Sequence, residues 1–446
     1  MQQEGRKVLV VGLGKTGLSC ARFLARQGVQ VAVTDSRETP PGLAAVRREL
    51  PDVALFLGRF DPAVFEHADQ IVVSPGVPLS HPLIREAAAR GIEVIGDIEL
   101  FARAVGDVPV VAVTGSNGKS TVTTLVQEMA RAAGLCSRAG GNLGTPALDL
   151  LAEGKADLYV LELSSFQLES VQSLKPAAAV VLNLSPDHMD RYPGLDAYAA
   201  AKARVYQGAG VRVVNWDDPR AAALAGPGGR RILFGLGEPG GDGDYGLLPG
   251  EDGDWLARGG ERLMRISELR LPGRHNLSNA LAALALGEAV GLPLPPMLEV
   301  LRRFTGLPHR CQWVAAMNGV DWYNDSKATN VGATLAAVSG FDRPLVLIAG
   351  GQGKGADFAP LREPVCGRAR AVVLMGEAAD ELEDLFSGCT RVVRAADMDE
   401  AVREAAGLAR PGDAVLLSPA CASFDMFAGF HDRGQRFVEA VRRYLG

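Results

Sequence analysis

No Cys-x-x-Cys pair occurs in this chain of 446 residues; its six cysteines stand at 20, 136, 311, 366, 389 and 421, the nearest two 23 positions apart. The spacing excludes a dithiol redox motif or a zinc ribbon, and the cysteines are expected to be free thiols in a reducing compartment. Long apolar runs are missing too. Stretches such as Ala177–Leu184 and Leu277–Leu286 fall well short of the ~20 residues that a membrane-spanning helix needs. Near the N-terminus Lys15 breaks the apolar run from Val8, and no cleavage-site pattern follows. No signal peptide and no membrane insertion are therefore expected, and the expected location is cytoplasmic. Basic charge is nowhere concentrated: 46 Lys and Arg stand against 52 Asp and Glu, a net charge of −6. Without a basic stripe, a nucleic-acid partner is excluded, and any polyanion bound should be small.

What is present is ordinary globular composition, 47% hydrophobic and 22% charged, at a length that suggests about three domains of roughly 150 residues. Three stretches each open with a β-branched run, turn through glycine and enter a helix-forming segment, the rhythm of α/β units on parallel sheets. In the first, Val8–Val11 reads as a strand, Gly12–Gly17 as a tight turn, Leu18–Arg26 as a helix, and Val29–Thr34 as a strand ending at Asp35. In the second, the strand Val108–Val113 leads through Gly115–Lys119 into a helix from Ser120 to about Ala133. Strands at Tyr159–Leu163, Ala179–Leu184 and Val211–Asn215 follow, with a helix Leu195–Tyr206 capped near Asp196. Glycines break the pattern between 235 and 260 into loops and hairpins, and a helix Leu277–Val290 is ended by Pro293, Pro295 and Pro296. The third stretch has strands at Leu345–Ala349, Ala371–Met375 and Ala414–Leu417, with helices near Ala378–Phe386 and Asp399–Ala409. Boundaries are expected near 97 and 306, giving domains 1–97, 98–306 and 307–446.

Two glycine motifs carry chemistry. Gly12-Leu-Gly14-Lys-Thr-Gly17, between strand and helix with Asp35 ending the next strand, is a dinucleotide-binding fingerprint in its expected setting. Its physics is broader than its usual ligand, because glycines and a helix N-terminus admit any nucleoside diphosphate; a UDP group fits as well as NAD. Thr114-Gly-Ser-Asn-Gly-Lys-Ser-Thr121 is a phosphate loop in which backbone N–H groups wrap phosphates, Lys119 neutralises charge and Ser120 or Thr121 can reach Mg2+. Val113 stands where the longer GxxxxGK form would have its first glycine. ATP is the expected ligand. Open α/β sheets place sites at the carboxyl ends of strands, where Glu162 and His188 are plausible ligands for a divalent ion on phosphate oxygens.

These motifs, with Gly140-Gly-Asn142, Glu162–Gln167, Asp187–Arg191, Gly273–Asn279, Leu307–Arg310, Asn324–Asn330 and Ser418–Ser423, resemble those of the ATP-dependent Mur ligases. That family adds amino acids to UDP-N-acetylmuramic acid in peptidoglycan synthesis. Within it the third-domain runs are most similar to those of members that add D-glutamate to UDP-N-acetylmuramoyl-L-alanine. The resemblance implies an α/β fold of three domains: N-terminal Rossmann-like, central P-loop ATPase-like and C-terminal Rossmann-like.

It further implies an ADP-forming ligase that uses ATP and Mg2+, acts on UDP-N-acetylmuramoyl-L-alanine and D-glutamate, and is a monomer. The UDP substrate would meet Lys15, Thr16, Asp35, Ser36, Ser74, Pro75, Gly76, Asn142, Ser164, Gln167 and His188. ATP would meet Gly115, Ser116, Asn117, Gly118, Lys119, Ser120, Thr121, Asn276, Asn279, Arg310 and Asp325. Metal ligands would be Ser120, Glu162, His188 and a carbamylated Lys202. Lys327, Thr329, Lys354, Ser423, Phe424 and Phe430 would hold the amino acid, Phe424 replacing an aliphatic residue of some relatives. Lys119, Asn142, Glu162, His188, Lys202, Arg310 and Lys354 would carry catalysis, Arg310 and Asp325 completing the site only on closure of the third domain. Apart from the resemblance, Asn276 could simply cap a helix, Lys354 could bind a phosphate, and Lys202 could be a solvated helix residue. A ligase with another amino acid or a folate, a nicotinamide-dependent oxidoreductase, and a nucleotide-regulated binding protein stay open as alternatives.

Overall fold

The computed structural model describes residues 5–185, 187–188, 191–271 and 273–445; Met189 and Asp190 of the Asp187–Arg191 run lie outside them. Among the described residues the strands form three sheets, of five, nine and six strands. Two compact units result, Met1–Met264 with Ser278–Val300 and Arg265–Leu277 with Leu301–Gly446.

The first sheet is parallel, in the order Ala54–Leu57, Gln30–Asp35, Lys7–Val11, Gln70–Val73 and Glu93–Gly96. Its central strands Lys7–Val11 and Gln70–Val73 are short runs rich in β-branched residues and buried on both faces, while Ala54–Leu57 at one edge is only partly covered. Val8, Val10 and Val33 pack with Leu18 and Leu24 on one side; Leu9, Val11 and Ile71 pack with Phe65 and Ile84 on the other. The helix Lys15–Arg26 starts earlier than expected, inside the Gly12–Gly17 motif with Gly14 as its N-cap, so Gly17 is already helical. Gly17 permits the close approach of helix to turn, since a Cβ there would lie 1.8 Å from the Gly12 carbonyl oxygen and 2.9 Å from Ser74 Oγ.

In the second sheet Val110–Thr114 runs parallel between Leu158–Glu162 and Ala178–Val181. Its register sets Val113 beside Glu162 and Thr114 beside Val181, so three strands end together where the phosphate loop begins. Val211–Asn215 and Arg230–Phe234 extend the sheet in parallel; Tyr245–Leu248 and Trp255–Arg258, drawn from the glycine-rich segment, add an antiparallel hairpin, and Glu261–Arg265 is the strand at that edge. The third sheet, in the second unit, runs Gln312–Met317, Val320–Asn324, Ala414–Leu417, Leu345–Gly350, Ala369–Met375 and Arg391–Arg394. Asn324 and Ile348 both flank Leu417, which gathers the loops after these strands at one end of the sheet.

The structure corrects four further expectations. Cys366 and Cys389 are joined in a disulfide with a Cα–Cα distance of 5.4 Å, while Cys20, Cys136, Cys311 and Cys421 are free. The helices Arg362–Arg368 and Ala379–Phe386 bring the two sulfurs together, which spacing along the chain could not show. Gly194, not Asp196, is the cap of the helix Leu195–Ala203, and Asp196 lies in its first turn, where a carboxylate complements the helix dipole. Pro295 and Pro296 do not keep the chain out of helix; they sit in the first turn of a further helix, Leu294–Arg303, where a missing N–H costs nothing. Asn276 does not cap its helix, which starts at Arg274. No element is legible in the sequence after Leu417, yet Phe430–Leu445 is a helix whose Phe437 and Val441 are buried against the third sheet.

Candidate active site

In the first unit a cavity of about 450 Å³ opens over the first glycine turn. Of the residues expected around the UDP group, Lys15, Thr16, Asp35, Ser36, Ser74, Pro75, Gly76, Asn142 and Gln167 line it; Ser164 and His188 are not among the lining residues. Asp35 is fully engaged within the protein. Its Oδ2 accepts the Leu13 N–H at 2.7 Å, and Arg37 donates from Nε to Oδ1 at 2.8 Å and from Nη2 to Oδ2 at 2.7 Å. Burial alone would raise the Asp35 pKa, but these bonds outweigh it and hold the carboxyl below its ordinary value. A carboxylate so occupied has little capacity left for a ribose diol, which weakens the dinucleotide reading.

Sequence reasoning missed two arginines here. Arg37 lines the cavity with more than half its side chain exposed, and its only signal was its place two residues after Asp35. Arg191 donates from Nη1 to the Pro75 carbonyl at 2.7 Å and lies over the Phe166 ring at 4.0 Å, so it fixes the Ser74–Gly76 turn. Gln167 is held by its neighbours. Its Oε1 accepts the Ser164 N–H at 3.1 Å, while its Nε2 donates to the buried Asp97 at 2.9 Å.

The phosphate loop joins Val110–Thr114 to the helix Lys119–Ala132. Gly118 has φ +83°, and a Cβ there would stand 2.3 Å from Asn279 Oδ1, which places the expected adenine residue Asn279 directly against the loop. A second loop braces the first: Ser116 Oγ donates to the Ser185 carbonyl at 3.0 Å, and the Asn117 N–H donates to Asn183 Oδ1 at 2.8 Å. Lys119 folds over the loop, its Nζ donating to the carbonyls of Gly115 and Ser116 at 2.9 and 2.8 Å. Ser120 Oγ donates to Glu162 Oε2 at 2.7 Å, and Asn142 Nδ2 donates to Glu162 Oε1 at 2.6 Å. Hydroxyl and carboxylate oxygens are the hard donors that Mg2+ prefers, so Ser120 and Glu162 fit such an ion.

Lys202 is not solvated. Only 1% exposed, it donates from Nζ to the Gly115 carbonyl at 2.9 Å and to Thr114 Oγ1 at 3.3 Å, with the Tyr198 ring 4.5 Å away. Burial, aided by the nearby Lys119 ammonium, pushes its pKa down to about 7. His188 is exposed, has φ +56°, and packs its ring 4.7 Å from Phe166 and 6.4 Å from Tyr198. Among the described residues no three His, Cys, Asp or Glu side chains already form a metal cage.

In the second unit Asp325 ties three motifs together. Its Oδ1 accepts the Cys311 N–H at 3.1 Å and its Oδ2 accepts from Ser418 Oγ at 2.8 Å, while burial pushes its pKa up to about 7. Arg310 is exposed between two residues of positive φ, His309 and Cys311. Asn276 is buried at the start of its helix. The Lys327 N–H donates to the His309 carbonyl at 3.0 Å, and Lys327 Nζ lies 4.3 Å from the centre of the Phe430 ring. The Thr329 N–H donates to the Lys327 carbonyl at 2.8 Å. Gln352 and Ala422 exchange backbone hydrogen bonds of 2.9 and 3.0 Å. They thereby bring Lys354 within 5.4 Å of the Phe424 ring, which is 65% exposed; Ser423 is buried. Two cations and a hydroxyl thus share one end of the third sheet.

As a whole, the chain is similar to known proteins. Residues 6–96 match the Mur ligase MurD-like N-terminal domain, 113–287 the Mur ligase middle domain and 309–421 the Mur ligase glutamate ligase domain. The chain is 60% identical over 439 residues to UDP-N-acetylmuramoylalanine--D-glutamate ligase of Nitrosococcus oceani, covering 98% of this chain and 96% of that one. It is 54% identical to the protein of the same name from Marinobacter nauticus, covering 98% of each. Among solved structures, UDP-N-acetylmuramate-alanine ligase of Thermotoga maritima aligns with a TM-score of 0.57 at 20% identity over 98% of this chain and 99% of that one, a likeness of fold. Three family domains in order and relatives similar along nearly the whole length place the chain in the Mur ligase family.

Proposed function

We propose that this protein joins D-glutamate to UDP-N-acetylmuramoyl-L-alanine with cleavage of ATP to ADP and phosphate. The observation that carries the reading is the full-length identity of 60% and 54% to two proteins named for that reaction. The phosphate loop, with Lys119 over it and Ser120 bonded to a buried Glu162, supports the use of ATP.

In the mechanism we propose, an oxygen of the L-alanyl carboxylate attacks the γ-phosphorus, ADP leaves, and an acyl phosphate forms. The D-glutamate nitrogen then adds to the acyl carbon, and collapse of the tetrahedral adduct expels phosphate as the nitrogen loses a proton. Lys119 and the loop N–H groups hold the phosphates, and Arg310 supplies positive charge to the transferring group. We assign adenine and ribose recognition to Asn276, Asn279 and Asp325, and metal binding to Ser120, Glu162, His188 and a carbamylated Lys202. Mg2+ bound there would supply charge neutralisation on phosphate oxygens. Asn142, held on Glu162, orients the acyl group. The cavity at Gly12–Gly17 takes the UDP group, with Arg37 added to the residues expected from sequence. We assign the glutamate carboxylates to Lys327, Thr329, Lys354 and Ser423, with Phe424 and Phe430 as walls. We also take the protein to be cytoplasmic and monomeric, with domain limits near 97 and 306; no helix among the described residues is long and apolar enough to cross a membrane.

The test is phosphate release from ATP and Mg2+ in the presence of UDP-N-acetylmuramoyl-L-alanine, with D-glutamate, L-glutamate, L-alanine or diaminopimelate as acceptor. Release that depends on D-glutamate alone is expected. Release with another amino acid would move the specificity, and release with none would remove the ligase reading.

A further inference from the structure

Arg433 has no place in the mechanism above, yet it is among the most deeply buried charges in the second unit, 1% exposed. It projects from the C-terminal helix Phe430–Leu445. Among the described residues no carboxylate forms an ion pair with it; its guanidinium is spent on two loops instead. Nε donates to Ser326 Oγ at 3.0 Å and Nη2 to the Ser326 carbonyl at 2.9 Å. Nη2 also donates to the Cys421 carbonyl at 3.1 Å, and Nη1 to the Ala422 carbonyl at 3.3 Å. Ser326 Oγ in turn donates to the Phe430 carbonyl at 2.8 Å, closing the ring onto the helix that carries the arginine.

The two clamped loops are those that present the amino-acid site. Ser326 precedes Lys327, and Ala422 precedes Ser423. The ATP-directed residue of the same run, Asp325, is held separately by Cys311 and Ser418. A planar five-donor fork can span two backbone segments at once; a lysine ammonium is a point charge and cannot reproduce that geometry. Burying a guanidinium without a hydrogen-bonded acid is costly; the Asp425 carboxylate acts on it through its charge alone, and the arrangement leaves a positive charge behind the loops that carry Lys327 and Ser423.

We propose that Arg433 is a positioning residue for the incoming amino acid: its guanidinium sets the spacing of Lys327 and Ser423 and adds positive potential for the two carboxylates. This rests on the assignment of the amino-acid site given above. Arg433→Lys keeps the charge and loses the fork. Ser326→Ala removes the Nε–Oγ bond and the Oγ bond to the Phe430 carbonyl while leaving the guanidinium its three bonds to backbone carbonyls, and decides the matter if the arginine variant does not fold.

The experiment is steady-state phosphate release by the full chain, with D-glutamate, ATP and UDP-N-acetylmuramoyl-L-alanine varied in turn. Loss of hydrogen bonds from a charged donor predicts a rise in KM for D-glutamate of about tenfold or more in Arg433→Lys. A smaller rise is expected in Ser326→Ala, with both other KM values changed less than about threefold. A fall in kcat and thermal stability with KM for D-glutamate unchanged would overturn the proposal, as would a parallel rise in all three KM values. Wild-type enzyme that shows no dependence on D-glutamate would instead defeat the underlying site assignment, a result visible before any variant is made.

Discussion

Ser120 and Glu162, 42 positions apart in sequence, meet through a 2.7 Å hydrogen bond from hydroxyl to carboxylate. The bond fastens the phosphate loop to the end of the neighbouring strand, and the second carboxylate oxygen is taken by Asn142. Glu162 is thus an acceptor for the buried Ser120 hydroxyl and for the Asn142 amide, as well as the leading metal-ligand candidate. Glu162→Ala is expected to lower kcat about 10²–10³-fold, the loss typical of removing one preorganised electrostatic group. Glu162→Gln, which keeps the volume but not the charge, should fold normally and fall nearly as far. Phosphate release at saturating substrates measures both; a Gln variant with wild-type turnover would remove the metal role.

The turn at Gly12–Gly17 admits a sharper steric statement. A methyl group at Gly17 would have to share space with the Gly12 carbonyl oxygen at 1.8 Å, so the helix would have to move off the strand. Overpacking of this kind costs about 1–3 kcal/mol, and the shift falls on the cavity beside Lys15 and Thr16. Gly17→Ala is expected to lower the melting temperature and to raise KM for the UDP substrate more than KM for ATP. An unchanged KM for the UDP substrate would mean that the diphosphate does not sit on this turn.

Both of those sites were legible from the sequence because their physics is local. A glycine turn between strand and helix, or a carboxylate ending the strand beside a phosphate loop, sits within one α/β unit, and parallel strands carry their ends to the same edge. Arg37, Arg191 and Arg433 were not legible, for the opposite reason. Arg191 and Arg433 act on backbone groups chosen by tertiary packing, Arg191 on Pro75 and Arg433 on residues 326, 421 and 422; Arg37 pairs locally with Asp35, but only the fold sets it at the cavity, and a single arginine carries no periodicity. Lys202 shows the same limit in part: by its residues alone a helical lysine flanked by alanines reads as exposed, the family resemblance assigned it to the metal site, and the fold turns its face toward the phosphate loop.

The disulfide can be counted directly. Cys366 and Cys389 are bonded and four cysteines are free, so thiol titration in denaturant without reductant should give four reactive groups, and six after reduction. Closing a loop of this size is worth about 3 kcal/mol in the chain-entropy account. Cys389→Ser should therefore unfold at lower denaturant than oxidised wild type and match reduced wild type. Six thiols before reduction would show that the bond does not form in the purified protein.

Asp97 gives the fold a pH dependence of definite sign. It is buried, donates nothing, and accepts from Gln167 while its Oδ1 has no partner; burial pushes its pKa up to about 6 from an ordinary 3.8. The folded state therefore holds the proton more tightly than the unfolded state. The stabilisation is fully present below pH 3.8, declines as pH rises toward 6 and is gone above it, a span of at most about 3 kcal/mol. Asp97→Asn keeps an acceptor for Gln167 and removes the ionisation. Its denaturation midpoint should exceed that of wild type at pH 8 and approach it at pH 5; a gap independent of pH would assign the effect to packing.

Lys202 sits where a lysine is chemically convertible. Its burial lowers the pKa to about 7, so near neutrality a large fraction of the amine is uncharged and able to attack carbon dioxide. The nitrogen bonds to the carbon, a proton is released, and a cation becomes a carbamate anion with two oxygens beside the phosphate loop. Arginine at this position would retain a positive charge and form no such adduct. Lys202→Arg is therefore expected to lower kcat by about 10²–10³-fold, the loss typical of removing one preorganised electrostatic group, while ATP still binds. Protein equilibrated with 13C-bicarbonate should show a carbamate carbon resonance in wild type that is missing from Lys202→Arg. Equal resonances in the two proteins would place any carbamate elsewhere, and wild-type turnover in the variant would leave Lys202 with a packing role only.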